Sequence, residues 1–324
     1  MHLHVCPLEP GQTRKVFCQE TDPFSIALDG YVFGGPWYEK KGPRANFNHH
    51  EEVDRLATRS TCGQVYLAIR QGLFRKFRNK TSGHHAHVYV NACDEDVGMS
   101  WFQLKHGDIV EQKQKRATDP EVYRRLHRLV TMEDLLDTTS GAYPLPPDYP
   151  TLERVNWVFE PYQQFRFAGK VRERQKEAFR GIIDIVCERI MEYIHGHGKS
   201  VDLDLRFEVI GGGQGWSMVR KIGAQARTGM FGQGIHAYIT VQQRGNENLW
   251  DYSIGCTSIF DDFDVPYAIK RLNKAEGLID NHDRWGGGNT TGGSPQIAGS
   301  KLSPRQVEEI INRECKCIGH TNGK

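Results

Sequence analysis

The stretch from Ala45 to Ile69, ANFNHHEEVDRLATRSTCGQVYLAI, sets two adjacent histidines just before a predicted helix. His49 and His50 follow Asn48 and precede three carboxylates. Small polar residues and an apolar run come next, and they predict a helix from about Thr61 to Leu73. A solvated loop is the ordinary interpretation of a histidine pair. The carboxylates beside it favour a second interpretation, a metal site near the start of a helix.

Two apolar segments on either side of this stretch predict buried strands that end in acidic residues. FSIALDG, residues 24–30, ends near Asp29, and AHVYVNAC, residues 86–93, runs into Asp94 and Asp96. A repeated order of strand, acidic loop and helix is typical of an α/β fold with a parallel sheet. Ligands of such sheets collect at the carboxyl ends of the strands. The acidic residues and the histidine pair are therefore expected to share one site.

The chain is predicted to divide near residue 150, because four prolines between residues 144 and 150 oppose both helix and central strand. Residues 1–150 are expected to form a Rossmann-like parallel-sheet domain, and residues 151–324 a smaller α+β domain. In the second part, alternating apolar residues predict a strand at 201–212. An apolar stripe predicts a helix within 171–198.

The composition is that of a soluble globular protein. Of 324 residues, 38% are hydrophobic and 25% are charged. The net charge of +2 gives no argument for nucleic-acid binding, although a local basic groove stays open. No segment is apolar enough to span a membrane. Eight scattered cysteines without a visible secretion signal predict reduced thiols and a cytoplasmic location. The oligomeric state stays open, with a homodimer among the alternatives.

Aspartate and histidine together are ligands suited to Mn²⁺, Mg²⁺ or Zn²⁺. Two ions held about 3.5–4 Å apart activate water and neutralise a phosphoryl group. Glycine-rich turns such as GGGNTTGG, residues 286–293, present backbone N–H groups to an anion. Each motif is also common in ordinary loops, and GHHAH, residues 83–87, is predicted to be one. The order of the motifs along the chain is what favours a phosphoesterase.

That order resembles the DHH phosphoesterase superfamily. FNHH, with Asn48, His49 and His50, stands where the family has Asp-His-His, and TRSTCGQVYLAI resembles the helix start that follows it. GGGNTTGG resembles the Gly-Gly-Gly-His turn that many members carry. The resemblance implies a Rossmann-like domain that holds Mn²⁺ and a C-terminal domain that grips substrate phosphate.

The sequence departs from the family pattern at several positions. Asn48 replaces the Asp of the motif, Asn289 replaces the phosphate-gripping His, and Gly255 stands about where a substrate-contacting Arg is expected. If Asn48 lies at the metal, Asn48→Asp should raise metal affinity. Asp94 and Asp96 correspond either to a displaced first motif or to the last acidic motif of the family, and the sequence leaves both open.

The expected function is metal-dependent hydrolysis of a nucleotide or short nucleic-acid phosphoester, with Mn²⁺ or Mg²⁺ as cofactor and no membrane partner. The alternatives are a catalytically impaired nucleotide-binding or sensor protein, and an unrelated α/β protein with ordinary loops. The predicted catalytic residues are His49, His50 and Asp94; the predicted metal ligands are Asp29, His49, Asp94 and Asp96; the predicted substrate-binding residues are Arg284, Gly286, Gly287, Gly288, Asn289, Thr290 and Thr291.

Overall fold

Residues 151–202, which were predicted to belong to the second domain, belong to the first of two units. The computed structural model describes residues 1–9, 11–50, 52–79, 83–112, 119–139, 146–245, 248–279, 281 and 283–314. Unit 1 comprises Met1–Thr138 and Pro150–Asp202, and unit 2 comprises Thr139–Tyr149 and Leu203–Lys324. The predicted division at residue 150 is therefore wrong, because the chain returns to unit 1 at Pro150 and leaves it only after Asp202.

Unit 1 contains short strands in its first ninety residues and helices of up to nineteen residues after them. In chain order its elements are β1 (His2–Val5), α1 (Arg14–Glu20), β2 (Ser25–Leu28), β3 (Trp37–Glu39), β4 (Arg44–Phe47), α2 (Thr61–Arg70), β5 (Arg78–Asn79), β6 (Gly83–His84), β7 (His87–Val90), α3 (Glu95–Lys105), α4 (Gly107–Glu111), α5 (Pro120–Thr138), α6 (Leu152–Phe167) and α7 (Lys176–Ile194).

A mostly parallel sheet lies at the centre of unit 1, with strand order β1-β7-β2-β4-β3. The first four strands run parallel, and β3 is an antiparallel edge strand. Every residue of β2 is buried, as expected for a central strand of a parallel sheet. The α/β class is confirmed, as are the strands predicted within residues 24–30 and 86–93.

The helices of unit 1 follow local sequence signals, with two exceptions. α2 begins at Thr61 as predicted, because the Ser60 hydroxyl accepts a hydrogen bond from the Gly63 N–H. The first exception is α6, which begins two residues after Pro150 and continues to Phe167 although it contains Pro161. Proline has no N–H for the carbonyl four residues earlier. Here that carbonyl, on Trp157, accepts a hydrogen bond from Arg189 instead, at 2.5 Å.

The second exception is α5, which is one helix where the sequence suggested two. TMEDLLD, residues 131–137, predicts a helix start at Thr131, with Asp134 in the first turn. The structure continues the preceding helix through this segment to Thr138. The Thr131 hydroxyl bonds back to the carbonyl of His127 one turn earlier, so it is not a cap.

The elements of unit 2 are β8 (Phe207–Gly213), β9 (Trp216–Lys221), α8 (Ala226–Gly232), β10 (Ala237–Gln243), β11 (Trp250–Cys256), α9 (Val265–Glu276), β12 (Gly286–Gly287), β13 (Thr291–Gly293) and α10 (Pro304–Glu314). The strands form a six-stranded sheet with strand order β12-β13-β11-β10-β9-β8. Ile239, Ile254, Leu272 and Trp285 contribute to the main core of the unit. The strand predicted at 201–212 begins only at Phe207.

None of the helices in the described ranges of either unit has the length and hydropathy needed to span a bilayer.

Candidate metal centre

Parallel strands of unit 1 bring five acidic and histidine side chains to one end of the sheet. Asp29 follows β2, and His49 and His50 follow β4. Asp96 lies in the first turn of α3, after β7, and Asp137 lies in the last turn of α5. We call these five residues the Asp–His cluster. The carboxyl ends of parallel strands are where such a site is expected.

The turn after β2 aims the Asp29 carboxylate into the cluster. Asp29 adopts a left-handed backbone with φ of 52°, and Gly30 follows with φ of 83°. Few residues other than glycine tolerate this conformation, and aspartate is one of them. The Asp29 Oδ1 atom lies 2.8 Å from His50 Nε2 and accepts a hydrogen bond from the Thr61 hydroxyl at 2.9 Å. The strained turn therefore fixes one oxygen between a histidine and the start of α2.

The cluster contains two overlapping triads of potential metal ligands. One ligand atom from each of Asp29, His49 and His50 lies within 4.8 Å of the others, and the same holds for His49, Asp96 and Asp137. His49 is fully buried and belongs to both triads. Its Nε2 atom lies 2.7 Å from Asp137, 3.5 Å from Asp96 and 3.6 Å from Asp29. Three carboxylates thus surround one imidazole nitrogen.

The contact between His49 Nε2 and Asp137 Oδ2, at 2.7 Å, lacks the angle of a regular hydrogen bond. Both atoms are buried and attract one another electrostatically, but neither makes a hydrogen bond of regular geometry with the described residues. Buried polar atoms without partners are rare, because each loses its hydration without compensation. A cation held between nitrogen and oxygen would satisfy both atoms. The donor set therefore fits a divalent metal ion.

Carboxyl groups crowd the cluster and its surroundings. Burial raises the pKa of Asp94, Asp96 and Glu133 well above the usual range, and repulsion from neighbouring carboxylates raises it further. Burial also acts to raise the pKa of Asp29 and Asp137. The neighbouring histidines outweigh it and keep the pKa of both low. Ionising all of these carboxyl groups in one buried place is costly unless a cation neutralises them.

His50 carries positive charge in the metal-free cluster. Burial acts to lower its pKa, but the charge and hydrogen bond of Asp29 outweigh this and raise the pKa to about 9. The His50 side chain is 40% exposed, whereas the ring of His49 is fully buried. His50 is therefore the histidine of the pair that a ligand from solvent can reach.

Arg55 is a buried cation at the back of His49. Its Nη2 atom lies 3.2 Å from His49 Nδ1 and donates to the carbonyl of Asp137 at 3.0 Å. A guanidinium can only donate, so Nδ1 accepts and the proton of the neutral ring is on Nε2. A metal at Nε2 would take the place of that proton. The neutral ring would then carry its proton on Nδ1, which could no longer accept a hydrogen bond from Arg55. Arg55 is thus a positioning residue that stabilises the metal-free arrangement.

Asp94 and Asp96 take different positions from one another. Asp94, predicted as catalytic and as a ligand, is the N-cap of α3 and accepts from the Val97 N–H at 3.0 Å. It lies near enough for Asp29 to raise its pKa, but it belongs to neither triad. Asp96 accepts from the N–H groups of Thr61 and Cys62, so its carboxylate also joins α3 to the start of α2.

Asn48 lies beside the cluster but does not point into it. Its side-chain amide donates to the carbonyls of Gly34 and Val32 at 2.9 and 3.3 Å, and its oxygen accepts from the His50 N–H. Asn48 therefore fixes a loop, and the expectation that Asn48→Asp raises metal affinity loses its basis. The carboxylate that sequence reasoning missed is Asp137. Its signal was the spacing of Asp134 and Asp137 on one helical face, within a segment taken for a helix start.

The glycine-rich segment of unit 2 is a hairpin rather than an open backbone cradle. Gly286 and Gly287 pair with Gly293 and Gly292, and the Gly288 N–H donates to the carbonyl of Thr291. Gly287 has φ of 153°, and a Cβ there would lie 2.3 Å from the Gly292 Cα. The hairpin itself therefore requires glycine at positions 287 and 292, and the Gly288 N–H is already used.

The tip of this hairpin carries two buried polar atoms of interest. Asn289 Oδ1 and Thr290 Oγ1 have no hydrogen-bond partner among the described residues. Arg284, also predicted to bind substrate, is exposed and donates to the carbonyl of Ile279 at 2.7 Å. Of the predicted substrate-binding residues, Asn289 and Thr290 have the hydrogen-bonding capacity that a ligand would use.

No protein-family model, curated protein or solved structure matches this chain. The resemblance to the DHH superfamily thus depends on short motifs alone. Of those motifs, His49 and His50 join the Asp–His cluster, whereas Asn48 fixes a loop.

Proposed function

We propose that this protein is a metal-dependent phosphoesterase that hydrolyses a nucleotide or a short nucleic acid, with Mn²⁺ or Mg²⁺ as its cofactor. The observation that carries the proposal is the environment of His49. Its buried Nε2 atom has three carboxylates within 3.6 Å and no hydrogen-bond partner among the described residues. Oxygen-rich sets with an imidazole suit hard to borderline divalent ions.

The residues of the cluster would have different roles in such a site. Asp29 and Asp137, whose pKa values are lowered, supply ionised ligands at neutral pH, with Asp96 and His49 beside them. A bound ion lowers the pKa of water and offsets the charge of a phosphoryl group. His50, reachable from solvent, offers a ring N–H to a phosphoryl oxygen.

Nucleotide binding is also proposed for the hairpin tip of unit 2, as a role separate from the Asp–His cluster of unit 1. Thr290 has a hydroxyl that can donate or accept, and Asn289 has an amide, so both suit phosphate or sugar oxygens. A nucleotide contains both kinds of oxygen, which supports it as the ligand of the hairpin tip. A cytoplasmic location forms part of the proposal, supported by the free thiols of all six described cysteines.

A catalytically impaired nucleotide sensor is the second candidate, and Arg55 is the observation that favours it. Its guanidinium contacts His49 Nδ1 and places a positive charge where a metal site would not need one. In this candidate Arg55 stabilises the cluster permanently without metal. The two candidates differ in metal binding, which makes them separable by experiment.

A hydrolysis screen with and without Mn²⁺ tests the proposal. The substrates are bis(p-nitrophenyl) phosphate, a dinucleotide and a nucleoside monophosphate, and the variants are His49→Ala and, as a matched control, the exposed Asp202→Asn. We expect Mn²⁺-dependent turnover in the wild type and the control, and none in His49→Ala. Nucleotide binding without Mn²⁺ binding or turnover would favour the sensor. The absence of both nucleotide binding and turnover would contradict both candidate functions.

A further inference from the structure

Two His-x-His pairs lie side by side in unit 1, well separated in sequence. β1 carries His2 and His4, His87 is the first residue of β7, and His85 lies two residues before it. β1 and β7 are adjacent parallel strands, with His2 paired to His87. Because alternate residues of a strand project to the same face, the imidazoles of each pair share a face. The segment predicted as an ordinary loop, residues 83–87, therefore supplies half of a histidine cluster.

Ring contacts join all four histidines. The rings of His2 and His87 stack with centroids 5.0 Å apart and planes 18° apart. His85 contacts both, at 6.0 and 5.4 Å, and His4 lies 5.3 Å from His87. We call these four residues the histidine patch. None of them belongs to the Asp–His cluster, so the proposed phosphoesterase activity does not account for the patch.

The closest pair already has nearly the spacing of two metal ligands. His4 Nε2 and His87 Nδ1 lie 3.0 Å apart, where one nitrogen donates to the other. A tetrahedral ion with bonds of about 2.1 Å holds two nitrogen ligands about 3.4 Å apart. A separation of about 0.4 Å more therefore converts the hydrogen-bonded pair into a chelating pair. His2 is exposed, so its ring can turn from the stack to supply a third nitrogen.

The electrostatic surroundings favour neutral imidazoles, which are the form that binds metal. Burial lowers the pKa of His4, His85 and His87, and the neighbouring histidines lower it further. The other charged groups that act on these rings are the N-terminal amino group, near His85, Lys176, near His4, and Asp22, near His87.

We propose that His2, His4 and His87 bind one transition-metal ion of the Zn²⁺ or Ni²⁺ class, with His85 beside them. An all-imidazole set prefers such borderline ions, whereas the oxygen-rich Asp–His cluster suits Mn²⁺ or Mg²⁺. The two sites therefore differ in metal preference as well as in position. The proposal is independent of the phosphoesterase proposal.

The test is a calorimetric titration of Ni²⁺ into the full-length protein in excess Mn²⁺. The variants are the double substitution His4→Gln/His87→Gln, the single His2→Gln, and the control His197→Gln, an exposed histidine elsewhere in unit 1. An Asp29→Asn variant separates the patch from the Asp–His cluster. Loss of a residue that only hydrogen-bonds to a metal ligand lowers metal affinity about 10–100-fold. Loss of two ligands should therefore lower it at least about 100-fold.

We expect one Ni²⁺ to bind to the wild type, to His197→Gln and to Asp29→Asn. The double variant should lose at least about 100-fold in affinity, and His2→Gln about tenfold. Absence of Ni²⁺ binding in the wild type, or equal affinity in the double variant, would overturn the proposal. If the double variant does not fold, the Ni²⁺ affinity of His2→Gln is the deciding measurement, because the exposed His2 side chain is not needed for folding. An unchanged Ni²⁺ affinity in His2→Gln then overturns the three-histidine site.

Discussion

Asp137→Asn tests the Asp–His cluster with a change of charge at nearly constant size. Asp137 Oδ2 lies 2.7 Å from His49 Nε2 and lacks a hydrogen-bond partner among the described residues, so it is the oxygen that a metal would use. An ion that binds only the folded state stabilises it by about 2.7 kcal/mol at 100 times its Kd. For a unit of this size, about 2–4 °C per kcal/mol gives a rise in Tm of about 5–11 °C.

The variant should lose most of that rise. An amide in place of a carboxylate keeps one oxygen but removes the charge on which hard cations depend. If affinity falls about 100-fold, the same Mn²⁺ concentration equals the new Kd, and the stabilisation drops to about 0.4 kcal/mol, or about 1 °C. The quantity compared is the Mn²⁺-induced shift, since Asn also changes the metal-free Tm through the contacts with His49 and Arg55.

Differential scanning calorimetry in EDTA and in Mn²⁺ measures both shifts, with the exposed Asp202→Asn as the matched control. The control should keep the wild-type shift. A full shift in Asp137→Asn, or no shift in the wild type at millimolar Mn²⁺, would refute the assignment of Asp137 as a ligand.

Four further predictions concern three other residues of unit 1 and Thr290 of unit 2. Arg55→Met should lower the Kd for Mn²⁺ in calorimetric titrations, because the guanidinium competes for His49; weaker binding would argue that Arg55 supports the metal. Asn48→Asp should lower the free energy of unfolding in urea by about 1–3 kcal/mol, because it removes the donor to two buried carbonyls; increased metal affinity would contradict this. Thr290→Val should raise Tm, since it removes a buried hydroxyl without a partner among the described residues, and should weaken nucleotide binding in the same preparation; unchanged binding would remove Thr290 from the substrate site. The metal-free protein should lose stability between pH 6.5 and about 9, because the pKa of His50 is raised and its contribution is complete only below 6.5; urea titrations across this range should show the loss in the wild type but not in His50→Asn.

The sequence predicted those parts of the fold that local patterns determine. The apolar run of β2 and the capped start of α2 at Thr61 have clear signals, and both are confirmed. α6 was missed because Pro161 argues against a helix, and only the structure reveals that Arg189 supplies the donor for the carbonyl left free. β4 was missed because Arg44–Phe47 is too short and too polar for a periodic pattern.

The candidate site, like the fold, could be predicted from the sequence only in part. Asp29 stands at the end of a predicted strand, and the histidine pair precedes a predicted helix, so sequence patterns can identify both. Asp137 comes from the end of a helix, and its partner Arg55 is 82 residues away, so only the tertiary fold brings it to His49. Asn48 was assigned to the metal by its position in the motif, whereas its hydrogen bonds to Val32 and Gly34 depend on a loop that the motif does not describe.

The most direct test of the central claim is anomalous diffraction from crystals of the full-length protein soaked in Mn²⁺. The Asp–His cluster should hold at least one anomalous peak within coordination distance of His49 and of Asp29 or Asp137. The same soak of His49→Ala crystals should lose that peak. An empty cluster at saturating Mn²⁺, or a peak that persists unchanged without the His49 ring, would contradict the assignment.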